Sequence, residues 1–188
     1  MAKITVTPET FNMVFFEAPR IAEVAGEVAD AVGLPADLEV RIEIDEVSPL
    51  GRSQLLSVDP VTINVEGGAF ENAKKPRHMS ETSIKDVLGR LFFRVKDRLS
   101  GGFDGAPADA ELSLQQQTAW DAYAVGRAER AGITQQKPRR QYHFRNRHGF
   151  SDAADAVFER LWRGDGLTWA DIQAACDETA AARESVGG

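Results

Sequence analysis

Residues 38–47 read LEVRIEIDEV, and the alternation is strict. Leu38, Val40, Ile42 and Ile44 fall on one side of an extended chain, and Glu39, Arg41, Glu43 and Asp45 on the other. A period of two fits a strand with one buried face and does not fit a helix. The outer face of this strand carries three carboxylates, whose mutual repulsion calls for cationic neighbours. VTINVEGG (61–68) reads as a second strand closed by a Gly-Gly turn, and 53–58 as a third. A further strand is expected near Phe11–Phe16.

Elsewhere the period is that of a helix. In APRIAEVAGEVADAVGLP, the residues Ile21, Val24, Ala25, Val28, Ala29 and Val32 form one stripe, with Pro19 suited to a first turn and Gly33 to a C-terminal cap. SETSIKDVLGRLFFRVKDRLSGG predicts a helix over 80–99 with Ser80 as N-cap. Its core face is Ile84, Val87, Leu88, Leu91, Phe92, Val95 and Leu99, with Phe93 on the opposite side. Residues 103–112 read as a loop. A helix over 113–131 places Trp120, Tyr123, Ala124, Arg127 and Ala128 on one face. Ser151 caps a helix over 151–164 whose Phe158, Leu161 and Trp162 point inward. Thr168 and Asp171 take capping-box positions at the start of a last helix over 167–184. SVGG reads as a frayed tail.

Strands are thus confined to the first 70 residues and helices dominate after 80. That segregation makes the fold class α+β: a small mixed or antiparallel N-terminal sheet with packed helices, followed by a helical C-terminal half. The 188 residues are expected to form a single domain, the alternative being a subdivision into an α+β core at 1–100 and a helical extension at 113–188.

Charge and composition narrow the function. The chain has a net charge of -7, and residues 1–48, with ten acidic and three basic side chains, account for all of it. Cys176 is the sole cysteine, which excludes an internal disulfide and a cysteine-based zinc site. It reads as a small buried residue, because Asp177 and Glu178 follow it where a reactive thiolate would need a positive neighbour. No apolar run approaches the roughly 20 residues that span a bilayer. MAKITVTPETF has neither the basic nor the apolar region of a secretion signal. A cytoplasmic protein with no membrane contact is expected.

No phosphate-binding glycine loop, dinucleotide fingerprint, nucleophile elbow or calcium loop occurs, and no cofactor is implied. The order helix–strand–strand–helix over 18–99 resembles small zincin metalloproteases. Their second helix carries H-E-x-x-H; here that helix reads DVLGRLFFRVKD and has no histidine. A zinc peptidase is therefore not expected, and a metal-free zincin-like relative remains as an architectural analogy. AWDAYAVGR (119–127), YHFRNRHGFSDAADAVFERLW (142–162) and GLTWADI (166–172) resemble segments of uncharacterised proteins from high-GC actinobacteria. The resemblance runs over most of the chain. It implies a cytoplasmic bacterial protein and assigns no catalytic residue.

From Ala131 to Ser151 this acidic chain has no acidic residue. Within that window KPRRQYHFRNRHGF, with Pro138 near its start, reads as an arginine-rich loop. Arg139, Arg140, His143, Arg145, Arg147 and His148 are the candidate anion- or partner-binding residues. Arg90, Arg94 and Arg98, spaced i, i+4 and i+8, form a second cationic ridge. Flanking arginines disfavour a metal among the histidines, so no metal site is expected.

Four readings of the basic segment compete. Its arginines pair with the acidic N-terminal half and anchor the C-terminal helices to the sheet, with Phe150 stapling the following helix. Or they meet an acidic protein partner. Or Arg145 and Arg147 clamp a small anionic ligand, helped by the free N–H groups of the helix that starts at Ser151. Or they hold nucleic acid, with KKPRH (74–78) as a second basic cluster, which the overall acidity disfavours. The leading function is a non-catalytic binding or assembly protein acting through 137–150 on a protein partner or on a second copy of itself. The alternatives are an enzyme acting on a phosphorylated or carboxylated small molecule, with Arg145, Arg147 and His148 at its site, and a nucleic-acid-binding protein.

Overall fold

The computed structural model describes residues 1–187, which divide into two compact units, 1–96 and 97 onward. The first contains β1 (Lys3–Thr7), α1 (Ala18–Val32), β2 (Glu39–Asp45), β3 (Ser53–Val58), β4 (Val61–Glu66), β5 (Glu71–Asn72) and β6 (Lys75–Met79), together with most of α2 (Glu81–Leu99). Four strands form a mixed sheet in the order β1-β2-β4-β3. β1, β2 and β4 run parallel, and β3 pairs antiparallel with β4. The fold is α+β.

The register explains why this sheet holds. Ile4 faces Val40, Val40 faces Val61, Ile42 faces Ile63 and Ile44 faces Val65, so apolar positions line up across three strands. Val40, Ile42 and Ile44 are buried, while Glu39, Arg41, Glu43 and Asp45 are exposed, as the alternation requires. Each buried aliphatic side chain contributes about 1.5–3 kcal/mol over leaving it in water. On the outer face, Arg41 lies 4.0 Å from Glu39 on the same strand. All six residues of the α1 stripe are buried, and Gly33 caps the helix with its N–H on Ala29 and Asp30 carbonyls. Ser80 Oγ accepts from the Ser83 N–H at the start of α2.

Three expectations need correction here. The N-terminal strand is Lys3–Thr7, not 11–16; in the latter segment Phe15 makes a single bridge to His78. KITVT offers only two apolar alternations, too short a pattern to stand out. The Gly67–Gly68 pair is no hairpin turn: Gly67–Phe70 form a 3-10 helix, and the tight connection is Asp59–Pro60 between β3 and β4. The Gly68 N–H is taken by Ser48 O at 3.3 Å, which turns the chain onto the β2–β3 connection. In α2, Ile84, Leu88, Leu91, Phe92, Phe93 and Val95 are buried, but Leu99, in the last turn, is exposed.

The second unit contains a 3-10 helix (Asp109–Glu111), α3 (Leu114–Arg130), α4 (Lys137–His148), α5 (Asp152–Arg163) and α6 (Trp169–Val186). Ser113 and Gln116 cap α3 reciprocally, at 3.1 and 2.9 Å. Ser151 Oγ accepts from the Ala154 N–H to open α5. Asp171 accepts from the Thr168 N–H at 2.8 Å to open α6. The expected frayed tail is helical through Val186, and its last residue, Gly188, lies outside the described residues.

The core of this unit is aromatic. Phe103 stacks on Trp120 at 4.8 Å, and Trp169 lies 5.5 Å from Trp120. Beside these rings sits a buried ion pair. Arg127 donates both Nη groups to the Asp97 carboxylate at 2.7 Å each. Trp120 Nε1 donates to the same carboxylate at 2.8 Å. The Arg127 guanidinium lies 3.5 Å over the Tyr123 ring, and the Tyr123 hydroxyl accepts from the Leu167 N–H. Cys176 is buried, and burial, with Asp177 beside it, raises its thiol pKa to about 11, which disfavours the thiolate at neutral pH.

α3 and α5 approach closely at Gly126. A Cβ there would lie 2.1 Å from the Trp162 carbonyl oxygen. In an open helix Gly→Ala stabilises by about 1 kcal/mol. Here backbone faces backbone, and no flexible side chain can yield. Gly126→Ala is expected to destabilise the protein by about 2 kcal/mol or more, because overpacking outweighs propensity. Chemical denaturation checks this, and a rise in the unfolding midpoint would contradict the packing described.

Candidate functional site

The acid-free segment is helical: α4 covers Lys137–His148. Lys, Arg and Gln are good helix formers, and Pro138 falls in the first turn, where its missing N–H has no partner to lose. Gly149, at φ 107°, ends the helix in a conformation closed to other residues. The arginine-rich loop expected from Pro138 is thus corrected to a helix. Both the Pro rule and the propensities allow it, but the apolar periodicity that announces a helix is missing.

The helix has two faces. On the inner one, Phe144 and His148 are completely buried and stack on each other at 3.9 Å, one turn apart. Phe144 also packs 5.5 Å from Phe158 of α5. His148 Nε2 lies 3.0 Å from Gln115 O, and Nδ1 lies 2.7 Å from Thr179 Oγ1. Nε2 also lies 3.1 Å from Thr118 Oγ1, and the Thr179 hydroxyl donates to the Cys176 carbonyl at 3.0 Å, so each ring nitrogen has a partner in either neutral tautomer. Both ring nitrogens are satisfied inside the unit. Burial pushes the His148 pKa down to about 4, against the raising effect of the Gln115 carbonyl.

Charged groups at the edges fasten the helix to its neighbours. Arg145 donates Nε and Nη2 to the two Asp155 oxygens, 2.8 Å each. This bidentate pair lowers the Asp155 pKa and raises that of Arg145. Lys137 reaches Glu159 at 2.8 Å, and Arg140 lies 3.8 Å from Asp121. Arg183 of α6 donates to the Arg147 carbonyl at 3.0 Å, a cation at the negative end of the α4 dipole. These partners belong to the helical unit itself. The expectation that the arginines pair with the acidic N-terminal half overlooked Asp155, Asp121 and Glu159, which flank the acid-free window. The expected loop anchor is likewise replaced by Phe144 and His148 seated in the helical core.

The outer face is different in kind. Arg139, Tyr142, His143, Asn146 and Arg147 are exposed, and their spacing from Arg139 (three, four, seven and eight) places them on one side of a helix. Tyr142 is 58% exposed and Phe150, just beyond the helix, 68% exposed; their rings meet edge-on at 6.4 Å. Phe150 therefore does not staple α5. His143 sits edge-on to Tyr142 at 6.2 Å, and partial desolvation, then Arg140 and Arg139, hold its pKa below the ordinary value. Among the described residues, Arg139 and Arg147 have no carboxylate within ion-pair distance.

The six candidate residues thus separate. Arg140, Arg145 and His148 serve the inside of the helical unit, and Arg139, His143 and Arg147 face solvent together. An anion at the start of α5 would meet Asp152 and Asp155 in its first turn, which opposes the expected small-anion clamp by Arg145 and Arg147 there. The second ridge is also withdrawn from solvent. Arg94 is fully buried, Arg90 is buried and donates to Ser53 Oγ at 2.6 Å, and Arg98 donates to Asp109 at 2.7 Å. Phe150, expected as a staple, faces outward beside Tyr142, and the outward place of Tyr142 follows from its helical spacing from Arg139. Among the described residues, no three His, Cys, Asp or Glu side chains gather as a metal-ligand group, and no helix is long and apolar enough to cross a membrane. Comparison with models of known families, with curated proteins and with solved structures gives no match.

His148 makes stability depend on pH. The unfolded chain takes up this proton near pH 6.5, the folded one only near pH 4. Its contribution is therefore unchanged above pH 6.5, and stability falls as the pH drops from 6.5 towards 4, by roughly 3 kcal/mol at the lower end. Thermal unfolding of the wild type and of His148→Gln at pH 7 and pH 4.5 checks this. The wild type is expected to lose clearly more stability on acidification than the variant, and equal losses would contradict it.

Proposed function

We propose that this chain is a non-catalytic binding or assembly protein of the cytoplasm, and that the outer face of α4 takes an anionic protein surface. The observation that carries the reading is the partition of one helix. Its inner cations are matched by carboxylates of their own unit, while Arg139 and Arg147 are left unmatched beside outward-facing Tyr142, His143 and Phe150. Aromatic rings and arginines are the side chains that dominate protein interfaces, where a desolvated ring supplies area and a guanidinium reads a carboxylate. A chain with seven excess acids has no electrostatic need to leave such cations unpaired.

Two observations weigh against the enzymatic alternative. His148 has both nitrogens engaged in the core, and Arg145 is held bidentately, so a substrate at either residue would have to displace an internal partner. The bacterial setting implied by the actinobacterial resemblance belongs to the same proposal, as does self-association through this face.

The reading is tested on immobilised poly-glutamate in a salt gradient. R139A/R147A is expected to elute at clearly lower salt than the wild type, with an unchanged unfolding midpoint, and Tyr142→Ala to shift elution in the same direction. Co-elution of R139A/R147A with the wild type would overturn it.

A further inference from the structure

A second group of unmatched cations lies in the first unit. β5 and β6 form a two-stranded hairpin whose turn and second strand carry Lys74, Lys75, Arg77 and His78. Lys74, Lys75 and Arg77 are exposed, and among the described residues none has a carboxylate within ion-pair distance. Glu71, on β5, is the one acid of the hairpin itself, against the three cations Lys74, Lys75 and Arg77, and two acids on the adjoining segments are already engaged. Glu46 accepts from the Asn12 and Met13 N–H groups at 2.8 Å each, and Glu81 is held by Arg20 at 2.6 Å.

Against this hairpin the fold holds an exposed aromatic ring. Phe15 is 66% exposed, yet its backbone is fixed: its N–H donates to Arg77 O at 2.8 Å and it bridges to His78. The Phe15 and His78 rings stack at 4.6 Å with 19° between their planes. One face of Phe15 is thus covered by imidazole, and the other is open to solvent. Arg77, at φ 66°, is the only described residue other than glycine in the left-handed region, a conformation disfavoured for a long side chain. Such outliers gather where a site dictates the backbone.

We propose that this hairpin and Phe15 form a binding surface for single-stranded nucleic acid. A base stacks on the open face of Phe15, and adjoining phosphates lie on Lys74, Lys75 and Arg77. Stacking is what selects this ligand over an acidic peptide, which would use the cations but leave the ring pair without a role. The overall charge of -7 opposes a polyanion. That repulsion is screened beyond about 10 Å at 0.1 M salt, whereas the contacts at the hairpin are direct. Weak, strongly salt-dependent binding follows.

The test is fluorescence anisotropy of the full chain with labelled 12-nucleotide oligo-dT and oligo-U between 50 and 200 mM salt. Wild-type protein is expected to bind at least one of the two, the preference reporting whether a 2′-hydroxyl is read. Phe15→Ala should weaken binding about fivefold or more with the salt slope unchanged, and Phe15→Trp should retain it. K74A/K75A/R77A should reduce the log–log salt slope by about 2, the value for three phosphate contacts on a single strand. R139A/R147A should bind like the wild type, which separates this surface from the α4 face. Absence of binding to both oligonucleotides overturns the proposal. So does a Phe15→Ala variant that binds normally, or an equally long poly-glutamate peptide that competes as well as the oligonucleotide.

Discussion

The helical unit is organised around one buried charge pair. Asp97 and Arg127 lie 30 residues apart, and two Nη–oxygen contacts of 2.7 Å join them. Burying such a pair is costly, and losing one partner leaves an uncompensated charge worth about 3–5 kcal/mol. The surroundings reduce that cost in specific ways. Trp120 donates to the carboxylate, Arg127 Nε donates to the Tyr123 carbonyl, and the Tyr123 ring lies under the guanidinium. Trp120 and Tyr123 in turn carry the aromatic stack with Phe103 and the contact to the α5–α6 connection. α3 is thereby fixed in place, and α4 is seated against it through Arg140–Asp121 and the His148–Gln115 contact.

This hierarchy explains what the sequence disclosed and what it withheld. Local rules predict β2, α1, α3, α5 and α6, because alternation, stripes and caps depend on residues within one or two turns. The capping pairs Ser113–Gln116 and Thr168–Asp171 are three residues apart and can be read directly. α4 escapes the same reading because one of its two fully buried side chains is a histidine. Hydrophobic periodicity counts Phe144 and passes over His148, although the core treats the neutral ring as an aromatic whose nitrogens are already matched. The partners of Arg145 and Arg127 were not legible either. Asp155 is ten residues away and Asp97 thirty, beyond any helical spacing, and only the packing of helices brings them together.

The candidate site was legible as a segment but not as a surface. Composition located the cations; it did not show that half of them face inward. Once α4 is a helix, one angular period assigns Arg140, Phe144, Arg145 and His148 to the interior and edges, and Arg139, Tyr142, His143, Asn146 and Arg147 to solvent. Stability and binding then belong to different residues of the same twelve, and a change to one set need not disturb the other.

An alanine scan across residues 139–148, read as the unfolding midpoint, tests that division most directly. The account predicts large losses at Phe144 and His148, about 3–5 kcal/mol for the phenylalanine. It predicts a smaller loss at Arg145, and changes within about 0.5 kcal/mol at Arg139, His143, Asn146 and Arg147. Losses spread evenly along the segment, or greatest at Arg139 and Arg147, would show that the outward face is structural and would contradict the account.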